Sequence, residues 1–145
     1  EIPLRLVGSE MCIRDRNNFE VVVPYSPITK KEALEKNVVK LVKDRSNKVV
    51  YFSRSIIPYP YQSKKESYNK HMSIISFKKE SLDNFSKLKV GELEKLEGIE
   101  LIRCIENKIR VGTFKINKDI FSVDIKKDYL KSISLMPLDP IRKKY

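Results

Sequence analysis

The chain has 145 residues, with 30 Lys+Arg against 19 Asp+Glu, one His and two Cys. No run approaches the roughly 18–20 apolar residues of a spanning helix, which excludes a helical membrane protein, and 41% hydrophobic content is too apolar for a disordered chain. Two Cys cannot build a disulfide framework and point to a reducing compartment, one His and two Cys exclude the common Cys/His zinc sites, and a net charge of +11 suits polyanionic partners such as nucleotides.

Residues 1–16 do not read like the rest. Leu6 through Asp15 spell L-V-G-S-E-M-C-I-R-D, one reading frame of a common transposase-type sequencing adapter, and Arg16 fits the next codon. The segment is read as adapter-derived and set aside from fold reasoning. It carries equal numbers of acidic and basic residues, so the excess positive charge lies wholly in residues 17–145, taken as one domain lacking its N-terminal portion.

In chain order, residues 19–25 (F-E-V-V-V-P-Y) form a dense β-branched run that suits a buried strand, ending in a loop at Pro24 to Pro27. Residues 30–35 follow Thr29, a helix N-cap with Glu32 three positions on. Residues 38–42 and 48–53 are strands around the Asp44-Arg45-Ser46-Asn47 turn. The prolines within 56–67 make a loop, and 71–77 is a further strand. Helices are expected over 81–88 and 92–107, strands over 109–116 and 120–123, and a closing helix over 126–134, stopped by Pro137. The mixture is α/β, with hairpins that argue against a purely parallel sheet.

Four polar residues stand out. Asp124 sits where a strand runs out into a helix, a place for a helix N-cap or for a Mg²⁺ ligand completed by phosphate oxygens. Glu100 shares a helical stripe with Leu93, Leu96 and Cys104, where a carboxylate needs either an ion pair or a hydroxyl-rich ligand. His71 can donate to a carboxylate or a sugar hydroxyl, or serve as a structural hydrogen-bonder. Arg54, between Ser53 and Ser55 at a strand end, can grip a carboxylate or phosphate, or lie idle on the surface. Cys104 reads as inert core. No G-x-S-x-G elbow and no glycine-rich phosphate loop occurs. Tyrosines interleave with lysines between Tyr51 and Lys70, as in single-strand binders, but the basic residues are spread along the chain rather than clustered.

Taken together, these residues resemble the C-terminal half of the 3-deoxy-manno-octulosonate (Kdo) cytidylyltransferases, or CMP-Kdo synthetases. Asn37-Val38-Val39-Lys40 is similar to the family's N-V-V-K strand. Phe52-Ser53-Arg54-Ser55-Ile56-Ile57-Pro58-Tyr59 resembles F-S-R-S-P-I-P-Y. Tyr68-Asn69-Lys70-His71 resembles Y-Y-K-H. Leu93-Glu94 through Glu100, Arg103 and Glu106-Asn107 follow the L-E-x-x-E…E-Q-L-R-x-L-E-x-G helix, and Val123-Asp124 with Asp128 resembles V-D-T-P-E-D-L. Leu101 stands where the family has Gln, Ser73 and Ile75 where it has Gly and Tyr, and Ile125-Lys126 where it has Thr-Pro.

The resemblance implies the C-terminal part of a nucleotide-diphospho-sugar transferase-like (Rossmann-like) mixed-sheet domain. It implies transfer of CMP from CTP to Kdo or a related ulosonic acid for lipopolysaccharide synthesis, in a cytoplasmic homodimer. By position, Asp124 would be the Mg²⁺ ligand, His71 and Glu100 would hold the sugar, and Arg54 would touch it. Neither nucleic acid nor membrane is an expected partner. The family's A-R-x-x-S-x-R-L-P-x-K-P loop and G-D-E-P strand end do not occur here, so this stretch alone is expected to be inactive. The competing readings are a small basic nucleic-acid-binding module, with one coherent positive face, and a non-catalytic dimerisation remnant.

Overall fold

The computed structural model describes residues 19–62, 67–116, 123 and 126–138. Its elements, in chain order, are β1 (Val21–Thr29), α1 (Lys30–Ala33), β2 (Lys40–Lys43), β3 (Val49–Ser53), β4 (Ser67–His71) and β5 (Ser76–Phe77). There follow α2 (Lys79–Lys87), α3 (Glu92–Glu97), α4 (Ile102–Glu106), β6 (Val111–Lys115), α5 (Lys126–Leu135) and a short 3-10 turn, Met136–Leu138. Six strands make one mixed sheet in the order β3-β2-β4-β1-β5, with β6 paired to β1. Among the described residues only the β1–β6 pairing is parallel, so the mixed α/β expectation holds. No helix among the described residues is long and apolar enough to cross a membrane.

β1 explains its own sequence. β1 is an inner strand, with β6 paired to Val21–Tyr25 on one edge and β5 to Val21–Val22 and β4 to Tyr25–Thr29 on the other, and Val21, Val22 and Val23 are all buried. A strand enclosed in this way carries an unbroken apolar run rather than an alternating one. Beyond Pro24 the strand does not become the expected loop. It continues to Thr29, where a capping box starts α1: Glu32 N–H faces the Thr29 hydroxyl and Thr29 N–H donates to the Glu32 carboxylate at 2.8 Å.

The expected strand over 71–77 is divided. Val22 faces Ser76 but Tyr25 faces His71, three steps along β1 against five along its partner. The surplus residues loop out between β4 and β5, and Met72 N–H donates to the Pro24 carbonyl there. Pro24 has no N–H to give, so it sits where β1 changes partners. In consequence His71 ends a strand, whereas the sequence suggested that it opens one; that strand begins at Ser67, the last residue of the expected loop.

The β2–β3 hairpin turns as expected. The Asp44 carboxylate accepts from Ser46 N–H, the Ser46 hydroxyl and Lys48 N–H, and Asn47 takes the left-handed conformation that Asn tolerates. β2 begins beside β4, while the hairpin tip reaches β6 through Thr113 N–H and the Asn47 carbonyl. The hairpin therefore crosses β1 and encloses a core of Val21, Val23, Leu41, Phe52 and Val111, closed by Ile99, Leu101, Ile102 and Cys104.

The long helix expected over 92–107 is two short helices. Gly98, at φ +62°, ends α3 in the left-handed cap that glycine adopts without a Cβ penalty. Folding back brings α4 onto α3. The Glu106 carboxylate fills the space that a Cβ at Gly91 would need and accepts from Leu93 N–H, while Arg103 Nε donates to Glu94 at 2.6 Å. Arg103 also stacks on Phe85, 4.6 Å from its ring centre. The break dissolves the expected stripe: Leu93 and Leu96 are exposed while Cys104 is fully buried. Helix α5 forms as expected. The strand expected over 120–123 falls almost wholly outside the described residues.

Arg103 holds the Glu94 carboxyl below its ordinary pKa of 4.5, chiefly by hydrogen bonding. A depressed carboxylate stabilises fully above its unfolded pKa and loses that contribution as pH falls through the folded value. Glu94→Ala leaves the guanidinium buried and unpaired, so a urea melt at pH 7 should show a loss of about 3 kcal/mol, shrinking as the pH is taken below 4.5. A Cβ on Gly112 would lie 2.4 Å from the Phe19 ring. Gly112→Ala must push that ring aside, and the same melt should read about 1–3 kcal/mol of destabilisation.

Candidate functional site

The strand ends that meet at the base of the hairpin carry the polar residues. In antiparallel pairs, facing residues share a face of the sheet. Lys40 faces Ser53 and Lys70, so Leu41, Phe52 and His71 belong to the opposite face. The Phe52 and His71 rings meet edge to face with centroids 5.3 Å apart. His71 N–H donates to the Val39 carbonyl at 2.8 Å, locking the backbone of the histidine to β2.

Burial drives the His71 imidazole from its usual 6.5 down to about 4, so the ring is neutral at pH 7. Its Nδ1 is buried and has no hydrogen-bond partner among the described residues. An unsatisfied buried nitrogen carries a desolvation cost that a ligand hydroxyl or carboxyl would relieve.

Arg54 is solvent-exposed, yet its guanidinium is engaged. Nε donates to the Glu97 carbonyl at 2.9 Å and Nη2 to the Gly98 carbonyl at 3.3 Å. Nη1 reaches the carbonyls of Lys36 and Asn37 at 3.3 and 3.4 Å. The Glu97 carboxylate returns the grip, accepting from Arg54 N–H at 2.9 Å and from the Ser53 hydroxyl at 2.6 Å. Beneath them, Lys40 is fully buried and donates to the carbonyls of Val38, Glu35 and Arg54. Desolvation lowers its pKa, the Glu97 charge opposes that, and Arg54 adds to it.

Glu100 lies two residues beyond Gly98 and is exposed. Its place in an apolar stripe, expected from helical spacing, is corrected by the break at Gly98. The buried acid–base pair of this region is Glu94–Arg103 instead. Arg54, His71 and the Gly98–Glu100 segment thus sit on neighbouring elements: β3 and β4 flank β2, and the α3 end is tied to Arg54. Asp124 lies outside the described residues. Among the described residues, no group of three or more His, Cys, Asp or Glu side chains could hold a metal ion.

Sequence reasoning missed Lys40 and Glu97. Lysine and glutamate on a lysine-rich chain give no local sign of burial. Cys104 is fully buried and its thiol is pushed up to about 11 by desolvation, in keeping with an inert core residue.

Comparison with known proteins places these residues in context. A family profile described as Cytidylyltransferase matches residues 12–120. The 3-deoxy-manno-octulosonate cytidylyltransferase of Fusobacterium nucleatum is 30% identical over 115 residues, covering 79% of this chain and 47% of that protein. The Escherichia coli protein of the same name is 34% identical over 128 residues, covering 80% of this chain and 52% of that protein. The chain therefore spans about half the length of the curated relatives it matches. A solved CMP:2-keto-3-deoxy-manno-octonic acid synthetase, complexed with CTP, superposes with a TM-score of 0.83 at 31% identity, over 90% of this chain and 54% of that one. On the extent of the profile match, and on a shared fold at recognisable sequence identity, this chain belongs to the cytidylyltransferase family.

Proposed function

We propose that this chain is the sugar-side part of an enzyme that transfers CMP from CTP to 3-deoxy-manno-octulosonate, or to a related ulosonic acid, for lipopolysaccharide synthesis. In that reaction the anomeric hydroxyl of the sugar attacks the α-phosphorus of CTP and pyrophosphate leaves. His71 and Glu100 receive the sugar, with Arg54 at the rim. The His71 ring, neutral at pH 7, offers one N–H donor and one acceptor nitrogen to a hydroxyl. Glu100 accepts hydrogen bonds from others. Positioning of this kind supplies much of the rate in phosphoryl transfer.

Asp124 would hold Mg²⁺. A single carboxylate completed by phosphate oxygens and water is the donor set that ion prefers, and the ion would supply charge neutralisation on the phosphates. The setting is cytoplasmic and the assembly a homodimer. The observation that carries the reading is the desolvated His71 ring, with an unsatisfied nitrogen, in a chain of this family.

Titration of the chain with 3-deoxy-manno-octulosonate should shift the His71 ring signals in NMR spectra, and His71→Ala should weaken binding about tenfold or more. An unperturbed ring at saturating sugar would sink the reading. The chain by itself is expected to release no pyrophosphate from CTP, and measurable release would overturn that.

Free of ligand, the His71 ring should titrate near pH 4. Its folded pKa is depressed, so the associated stability is complete above pH 6.5 and is lost as pH falls toward 4, a change of about 3 kcal/mol. His71→Phe should flatten that part of the stability–pH profile.

A further inference from the structure

The structure assigns Arg54 a positioning role: through the Glu97 and Gly98 carbonyls it fixes where the chain leaves α3, and so where Glu100 is presented. This rests on the reading of Glu100 as a sugar ligand.

The argument begins with donors. A guanidinium has five N–H groups in a planar fork. Four hydrogen bonds from Arg54 already run to main-chain carbonyls, in two segments far apart in sequence, 36–37 and 97–98. A residue that grips a ligand carboxylate bidentately keeps two parallel donors facing the ligand. Here the fork instead holds the lead-in to β2 against the end of α3.

The second part is the buttress. The Glu97 carboxylate spans the Ser53 hydroxyl and the Arg54 amide, and the Ser53 oxygen also accepts from Ser55 N–H at 2.9 Å. Lys40 takes the Arg54 carbonyl from below. Every polar main-chain atom of Arg54 is thus bonded, and the side chain leaves the end of β3 in one direction.

The third part is what the clamp controls. Helix α3 ends at Gly98 in a left-handed cap, a position where the chain could otherwise hinge. Arg54 holds the carbonyls on both sides of that peptide, Glu97 and Gly98, and Glu100 follows two residues on. Release of the clamp frees the direction in which the Glu100 carboxylate points.

The test uses the full chain, with 3-deoxy-manno-octulosonate as probe, and the variants Arg54→Lys, Glu97→Gln and the pair. Lysine keeps the charge but not the fork; glutamine keeps the size but offers one acceptor oxygen where Glu97 uses two. Both single variants should shift the Glu100 side-chain carboxyl carbon and speed amide exchange at Ile102 and Arg103, whose N–H groups bond the Ile99 and Glu100 carbonyls. Exchange at Val21 and Val23 should stay unchanged. Each single variant should weaken sugar binding about tenfold, and the pair should be little worse than either, as for two parts of one device.

Direct contact with the sugar would instead give an Arg54→Lys defect with an unmoved Glu100 signal and a Glu97→Gln variant that binds normally; that result overturns the inference. Faster exchange with unaltered sugar affinity overturns it as well. If the unmodified chain does not bind the sugar, the substrate reading fails, and the Glu100 carboxyl shift alone decides whether the clamp positions this residue.

Discussion

The structure depends on the enclosure of β1. Three consecutive valines lie out of solvent because strands pair on both edges and the β2–β3 hairpin crosses the strand. Their side chains together remove several kcal/mol worth of apolar surface from water. Among the described residues β1 has its parallel partner in β6, which follows helices α2, α3 and α4 in the chain. Everything placed near the candidate site is measured from this strand: β4 pairs with its second half, β2 hangs from β4, and the change of partner at Pro24 decides that His71 closes a strand rather than continuing through it.

A second constraint acts at the hairpin base. Chain segments that end or turn leave carbonyl groups without ladder partners, and buried carbonyls must find donors. Two long cations supply them. Lys40 reaches inward to main-chain carbonyls, and Arg54 reaches across the surface to others. Both use charge to satisfy main-chain oxygens, with Glu97 as the nearby anion. A fully buried ammonium held mainly by carbonyls is costly to place and sensitive to geometry, so this corner has little freedom to relax.

His71 contrasts with both. The Phe52 ring lies edge to face with it, and among the described residues desolvation alone shifts its pKa. The result is a neutral ring at physiological pH, with hydrogen-bonding capacity unspent. Two acid-sensitive groups, His71 and Glu94, have opposite chemistry but the same sign of pH dependence, because acid favours the unfolded chain in each case. One does so by charging a ring that the fold keeps neutral, the other by neutralising a carboxylate that the fold keeps charged.

Sequence alone determined the features that depend on near neighbours. The valine run of β1, the Thr29–Glu32 capping box, the Asp44 turn and helices α2 and α5 could be read from short-range chemistry, and the motifs around Arg54, His71 and Glu100 were enough for the family resemblance. Tertiary structure alone decided the rest. A glycine in a helical pattern is compatible with either continuation or a break, and only the return of α4 onto α3, with Arg103 finding Glu94, made Gly98 a break. Residues 67–70 lack an apolar pattern, yet they form a strand because β1 presents an open ladder to them. Which partners a charged side chain finds is settled by groups far away in the chain: the Arg54 guanidinium donates to carbonyls at 36–37 and 97–98, which nothing in its local sequence announces.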